Sequence, residues 1–130
     1  MDLPKKLQMK PGTRIKIQGV PKDVMPSLTP LPEGTSLIGS SKGPFDGALI
    51  FCRNHKDVEE KAARAVADIP SDGLLWLCYP KGTSGLATDI SRDRGWEAIQ
   101  KMGLRPVRAV SINDTWSALR WRPKSKVYGQ

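Results

Sequence analysis

The sequence predicts an α/β domain built on a mainly parallel sheet of about six strands, and three observations carry that expectation. Gly47 to Cys52 and Leu74 to Tyr79 are apolar at successive rather than alternate positions, the pattern of strands covered on both faces. Between them lies a segment with apolar residues spaced three and four apart, as in a helix that lays one stripe against a core. After Gly103, Leu104 to Ile112 and Thr115 to Trp121 read as strands joined by Asn113-Asp114, a pair suited to a tight turn. Strand-helix-strand units followed by a hairpin give a parallel sheet with one antiparallel strand.

Taken in order, residues 4 to 11 form a short helical lead-in closed by Pro11-Gly12. Thr13 to Val20 alternates polar and apolar, which predicts a strand with Ile15 and Ile17 inward and Arg14, Lys16 and Gln18 outward. Pro21, Pro26 and Pro30 break the next segment and leave room for one or two turns over Lys22 to Leu28. A second strand, Thr35 to Gly39, precedes the loop Ser40 to Pro44. Asn54 is placed to cap a helix running to about Asp68, with Asp57 beside its unpaired amides and Val58, Ala62, Ala65, Val66 and Ile69 as its buried stripe. The run ending at Tyr79 gives way to the polar loop Gly82 to Asp89. A helix is then expected from about Ser91, with Trp96, Ile99 and Met102 on one face and Gly103 as its stop. Residues 123 to 130 read as a basic, flexible tail.

A chain of 130 residues with 38% hydrophobic and 26% charged residues fits a single globular domain spanning 1–130. No apolar run approaches the roughly 20 residues of a membrane span, and the amino end leads into no signal-peptide core, so a cytoplasmic protein without a membrane partner is expected. Cys52 and Cys78 form neither a disulfide framework nor a metal spacing, in keeping with a reducing compartment. The net charge of +8 is unevenly spread. Residues 1 to 20 carry five Lys or Arg against Asp2, residues 101 to 130 carry seven against Asp114, and the middle carries nine against eleven acids. Two basic ends attract phosphates or nucleic acid, or serve as a solvated surface.

Ligands in such sheets collect beyond the carboxyl ends of the strands. Tyr79, Lys81, Thr83, Ser84, Asp89 and Arg92 therefore form the expected site for a small anion, with a cation, hydroxyls and a helix start in one loop. The spacing matches no P-loop, and the alternative is a polar loop in which Asp89 or Ser91 caps a helix while Arg92 and Asp93 pair at the surface. Trp116 and Trp121, beside Arg120 and Arg122, suit either core packing or a ligand's bases, and Trp116 is counted with the expected site. Lys16 and Gln18 predict a shallow groove bordered by the Val20 to Met25 loop. His55 lacks a sequence partner for general-base work and reads as an exposed first-turn residue, and the cysteines read as small buried residues rather than a dithiol. With no catalytic or cofactor motif, the expected function is non-catalytic binding of a small anionic ligand or a partner, without a bound cofactor. Nucleic-acid binding through the basic ends is the second class, and a divergent transferase using Lys81, Asp89 and Arg92 the third.

The series Lys10 to Ile15, Phe45 to Ile50 and Asp72 to Trp76, followed by a terminal hairpin, resembles a shortened class I S-adenosylmethionine-dependent methyltransferase domain. That resemblance implies a Rossmann-like three-layer sandwich with strand order 2-1-3-4-6-5 and strand six antiparallel. From Leu7 to Arg122 the chain also resembles a small bacterial family of uncharacterised proteins. It does so through Tyr79-Pro80-Lys81, Thr88-Asp89, Arg92-Asp93, Trp96, Gly103 to Val107 and Trp116 to Arg120. It departs from the methyltransferases where they hold their cofactor. Gln18 to Asp23 keeps one glycine and adds Pro21, and no carboxylate follows Leu37 to Ser40.

Overall fold

The structure is a computed structural model and describes residues 2–127. At its centre β3 (Gly47–Phe51) and β4 (Leu74–Pro80) pair in parallel, from Gly47 opposite Leu74 to Phe51 opposite Cys78. Every residue of β3 is buried and so is every residue of β4 after Leu74, which is why these two stretches are apolar without interruption. β1 (Arg14–Gln18) lies parallel to β3, and the short β2 (Ser36–Ile38) lies parallel to β1 at one edge. On the other side β6 (Trp116–Pro123) runs antiparallel to β4, and β5 (Leu104–Ser111) runs antiparallel to β6. The order β2-β1-β3-β4-β6-β5, with β6 antiparallel, is the one expected, in a sheet of mixed character. Pro106 and a register shift between Pro106 and Arg108 interrupt β5, as befits a strand with a free edge.

Each face of the sheet carries its own hydrophobic cluster. On one, Ile50, Leu77, Leu119 and Trp121 meet Val58, Ala62 and Ala65 of a helical stretch together with Trp96 and Ile99. That stretch comprises α2 (His55–Asp57), a π-helical segment Val58–Ala62 and α3 (Ala63–Asp68). On the other face, Ile15, Leu49, Phe51 and Trp76 meet Leu3 of α1 (Leu3–Lys6), Leu7, Val24 and Leu28. Each fully buried Leu, Ile or Phe in these clusters contributes about 1.5–3 kcal/mol over its exposed state. The indole of Trp76 donates to the Leu7 carbonyl at 2.8 Å, which fastens the amino-terminal segment across the sheet and sets the position of Gln8 to Lys10.

Several expectations change. Lys16 does not point outward: it is buried and paired with Asp68 at 2.7 Å, because the helical stretch covers that face of β1. The proline-broken segment after Val20 packs through Val24 and Leu28 on the opposite face, so it does not border Lys16 and Gln18. The helix expected from Ser91 is confined to α4 (Glu97–Gln100). Gly95 has φ 96° and leaves no room for a Cβ against Ile90, so the chain turns there instead of winding, and Met102 stays 43% exposed. Pro123 ends β6 and Lys124–Val127 form α5, while the rest of the expected tail, residues 128–130, lies outside the described residues. Among the described residues no helix is long and apolar enough to cross a membrane.

Candidate functional site

An Asp-Gly pair leads into each of β3 and β4, and the two glycines allow the strands to enter the sheet in close contact. A Cβ on Gly47 would meet the Leu74 carbonyl oxygen at 2.5 Å, and one on Gly73 the Asp46 carbonyl oxygen at 2.8 Å. Their aspartates are thereby brought side by side at the amino ends of the strands. There they line a cavity of about 440 Å³ together with Lys10, Thr13, Arg120 and Arg122. Such a volume lies in the range of small-molecule sites.

Arg120 stands opposite Trp76 in the β4–β6 register and shares its face with Trp116 and Ala118, both in the core. Its Nε is buried without a hydrogen-bond partner, an unusual state for a charged side chain, since an unsatisfied buried donor costs about 1–3 kcal/mol. Among the described residues the one other such atom is Nε1 of Trp121, on the opposite face. Burial, and after it the neighbouring Arg122, hold the Arg120 guanidinium below the usual arginine range, with Asp72 opposing. Arg122 differs: it grips Asp72 with Nε at 2.9 Å and Nη2 at 2.7 Å, a two-pronged pair that lowers the Asp72 carboxyl and raises the Arg122 guanidinium. Asp46 accepts from the Arg14 amide at 2.7 Å, and Thr13 donates to the Lys10 carbonyl at 2.7 Å. With Asp72 and Arg122 neutralising each other, Lys10 and Arg120 face one carboxylate, Asp46. Gln8 (φ 58°) and Asp72 (φ 60°) have positive φ, a costly backbone state outside glycine, and both line this cavity.

The residues expected after β4 are placed differently from one another. Tyr79 is buried against Trp96, ring centroids 5.9 Å apart, and burial raises its phenol. Lys81 donates its ammonium to Ser111 Oγ at 2.7 Å. Thr83 is exposed, and Ser84 Oγ accepts from the Leu86 amide within its own loop. Asp89 accepts from the His55 amide at 2.6 Å and so caps α2 rather than the next helix in the chain. Arg92 is exposed and near enough to Tyr79 to influence its phenol. An open cavity of about 480 Å³ takes in Asp89 but neither Lys81 nor Arg92. Trp116 is not open to a ligand: it is 2% exposed, with Phe51 against it at 5.1 Å and the Arg53 guanidinium 5.5 Å from its ring centre. Trp121 is equally enclosed.

Lys16 and Gln18 do line a groove, of about 450 Å³, but its other wall is Gly39 to Ser41 and the helical stretch. Its cations are already engaged: Lys16 and Arg64 with Asp68, and Lys61 with Asp57. His55 has partners that its sequence context did not reveal, Glu59 at 3.3 Å from Nδ1 and Glu97 at 3.5 Å from Nε2. Cys52 and Cys78 belong to clusters on opposite faces, and burial pushes the Cys52 thiol up to about 12 and that of Cys78 well above its ordinary value. Among the described residues no group of three or more His, Cys, Asp or Glu is placed to hold a metal ion.

The cavity around Arg120 is not among the sites the sequence suggests, although two signals in it point there. One is the repeated Asp-Gly before each central run. The other is Arg120 two positions from Ala118 in an alternating strand, which puts a cation on a face otherwise given to the core. No family model matches the chain, and no curated protein matches it.

Proposed function

We propose that this protein is a non-catalytic anion-binding module of the cytoplasm, with a shortened, methyltransferase-like Rossmann domain and its ligand held around Arg120 at the amino ends of β3 and β4. Arg120 carries this reading: it lines a cavity of about 440 Å³, its Nε has no partner among the described residues, and an entering phosphate or carboxylate offers its guanidinium an acceptor that those residues do not. Lys10 adds a second cation, and Asp46 offers an acceptor for a ligand hydroxyl. Hydrophobic clusters on both faces and the strand order support the three-layer sandwich. The two buried, unbridged cysteines accord with a reducing compartment. Binding without turnover is favoured because Thr13, Asp46 and the Asp72–Arg122 pair are tied into structural bonds and, among the described residues, the lining holds no nucleophile-base pair. The loop after β4 is the less suitable place, since Lys81 and Asp89 are already engaged there.

A thermal-shift panel of inorganic phosphate, nucleoside phosphates, dicarboxylates and S-adenosylmethionine tests this directly. A ligand at a hundred times its Kd stabilises the native state by about 2.7 kcal/mol. Phosphorylated or carboxylated compounds are expected to raise the Tm of the wild type and of Lys81→Gln, and to leave Arg120→Gln unmoved. A response that survives intact in Arg120→Gln overturns the site.

A further inference from the structure

The cavity around Arg120 does not end at its own rim. Gln8 borders it and also borders a groove of about 450 Å³ lined by Lys5, Lys6, Arg108 and Val110. The two depressions therefore adjoin along one surface, made by the amino-terminal segment on one side and the β5–β6 hairpin on the other. Here the two basic ends of the sequence come together in space.

The cations of this surface differ from those across the sheet. On the helical face Lys16, Lys56, Lys61 and Arg64 are each paired with a carboxylate. Lys5, Lys6, Lys10 and Arg108 are exposed, and among the described residues none of them makes an ion pair. The nearest carboxylate to this series in the chain, Asp2, is turned onto the Lys5 amide at the start of α1. A lone small anion occupies the cavity and leaves this row unused. A ligand with repeated phosphates uses both.

We infer that the anion is one phosphate of a single-stranded nucleic acid, seated at Arg120, with the neighbouring phosphates running past Gln8 into the groove of Lys5, Lys6 and Arg108. This rests on the anion-binding reading above. A single strand fits because Arg120 lines a recess into which one phosphate of a flexible backbone can turn while its neighbours run along the adjoining groove, whereas the backbone of a duplex rides on an outer surface. Asp46 matches the ligand through a hydroxyl of the sugar next to the seated phosphate. Among the described residues no aromatic side chain lines either depression, so recognition goes through phosphates rather than stacked bases and carries little sequence preference.

Calorimetric titration of the full chain with a uridine mononucleotide, tetranucleotide and octanucleotide, whose ribose 2′-hydroxyls stay free along the strand, tests the inference. The octanucleotide is expected to bind at least about tenfold more tightly than the mononucleotide, with log K falling against log salt by about 0.7 for each phosphate neutralised. In Lys6→Gln/Arg108→Gln that length advantage collapses and the salt slope shrinks by about 1.4, the share of two phosphates. Arg120→Gln, or Lys10→Gln if the former does not fold, weakens mononucleotide and octanucleotide alike. Equal affinity for all three lengths overturns the inference and leaves the small-anion reading standing. Octanucleotide binding that ignores both Arg120 and Lys10 overturns the inference and the cavity reading together, as does the absence of any binding by folded protein. Tighter binding of a duplex than of the single strand also overturns it.

Discussion

Asp72 holds a left-handed backbone, φ 60°, in the turn that opens β4, and from there its carboxylate meets Arg122 in two hydrogen bonds. The hydrogen bond with Arg122 is the first cause of its lowered pKa, and the bond from Lys16 is the first cause of the same shift at Asp68. Both groups bind protons more weakly folded than unfolded, where a carboxyl titrates near pH ~3.9. Their contribution is therefore complete above about pH 4 and is lost as pH falls through the lower folded values. Asp72→Asn is expected to cost about 1 kcal/mol at neutral pH, a modest figure because Asp72 is 25% and Arg122 37% exposed to screening water, and to flatten the acid limb of Tm against pH. An acid limb as steep as the wild type's removes Asp72 from this role. Arg120, two positions before Arg122 on the same face of β6, obeys the opposite logic: among the described residues its Nε has no partner, and that unmet donor costs stability.

Among the elements, the helical stretch from His55 shows how far local sequence can go. Asn54 Oδ1 accepts from the Asp57 amide at 2.9 Å, and the Asp57 carboxylate accepts in turn from the Arg53 amide at 2.9 Å, so the start of this helix was legible from Asn54 and Asp57 alone. The third bond at that terminus comes from Asp89, far along the chain, and no local pattern announces it. Asp89→Ala is expected to destabilise the protein by about 1 kcal/mol and to speed hydrogen exchange in the first turn of α2 without changing anion affinity. Loss of ligand binding with unchanged exchange would return Asp89 to a ligand role. The paired entry of β3 and β4 is more demanding still. Gly47→Ala drives a methyl into the Leu74 backbone and is expected to cost about 1–3 kcal/mol in a denaturant melt, against little for the equivalent change at Gly82, where a Cβ meets nothing.

Viewed as a whole, the protein has two unlike faces. The helical side carries Asp57, Glu59, Glu60, Asp68 and Glu97 interleaved with cations, so its charges close on one another over short range. On the side built from the two chain ends, Lys5, Lys6, Lys10 and Arg108 stand without such compensation among the described residues, and the surface there is positive. The central strands of the sheet were already written in the order of residues. A strand covered on both faces must be apolar throughout, so Gly47 to Phe51 and Leu74 to Tyr79 declared their central places, and the terminal hairpin was marked by its own turn. The charge asymmetry was there too, though only as two separate ends. Folding in three dimensions was needed to settle which charges remain unpaired, that Trp116 is closed off, that Lys81 and Asp89 are engaged elsewhere, and that Lys10, Asp46, Asp72 and Arg120 share one cavity. Local patterns report whether a residue faces a core. Which distant side chains meet depends on strand order and register, because those alone bring positions from opposite ends of the chain within the few ångströms over which hydrogen bonds and ion pairs act.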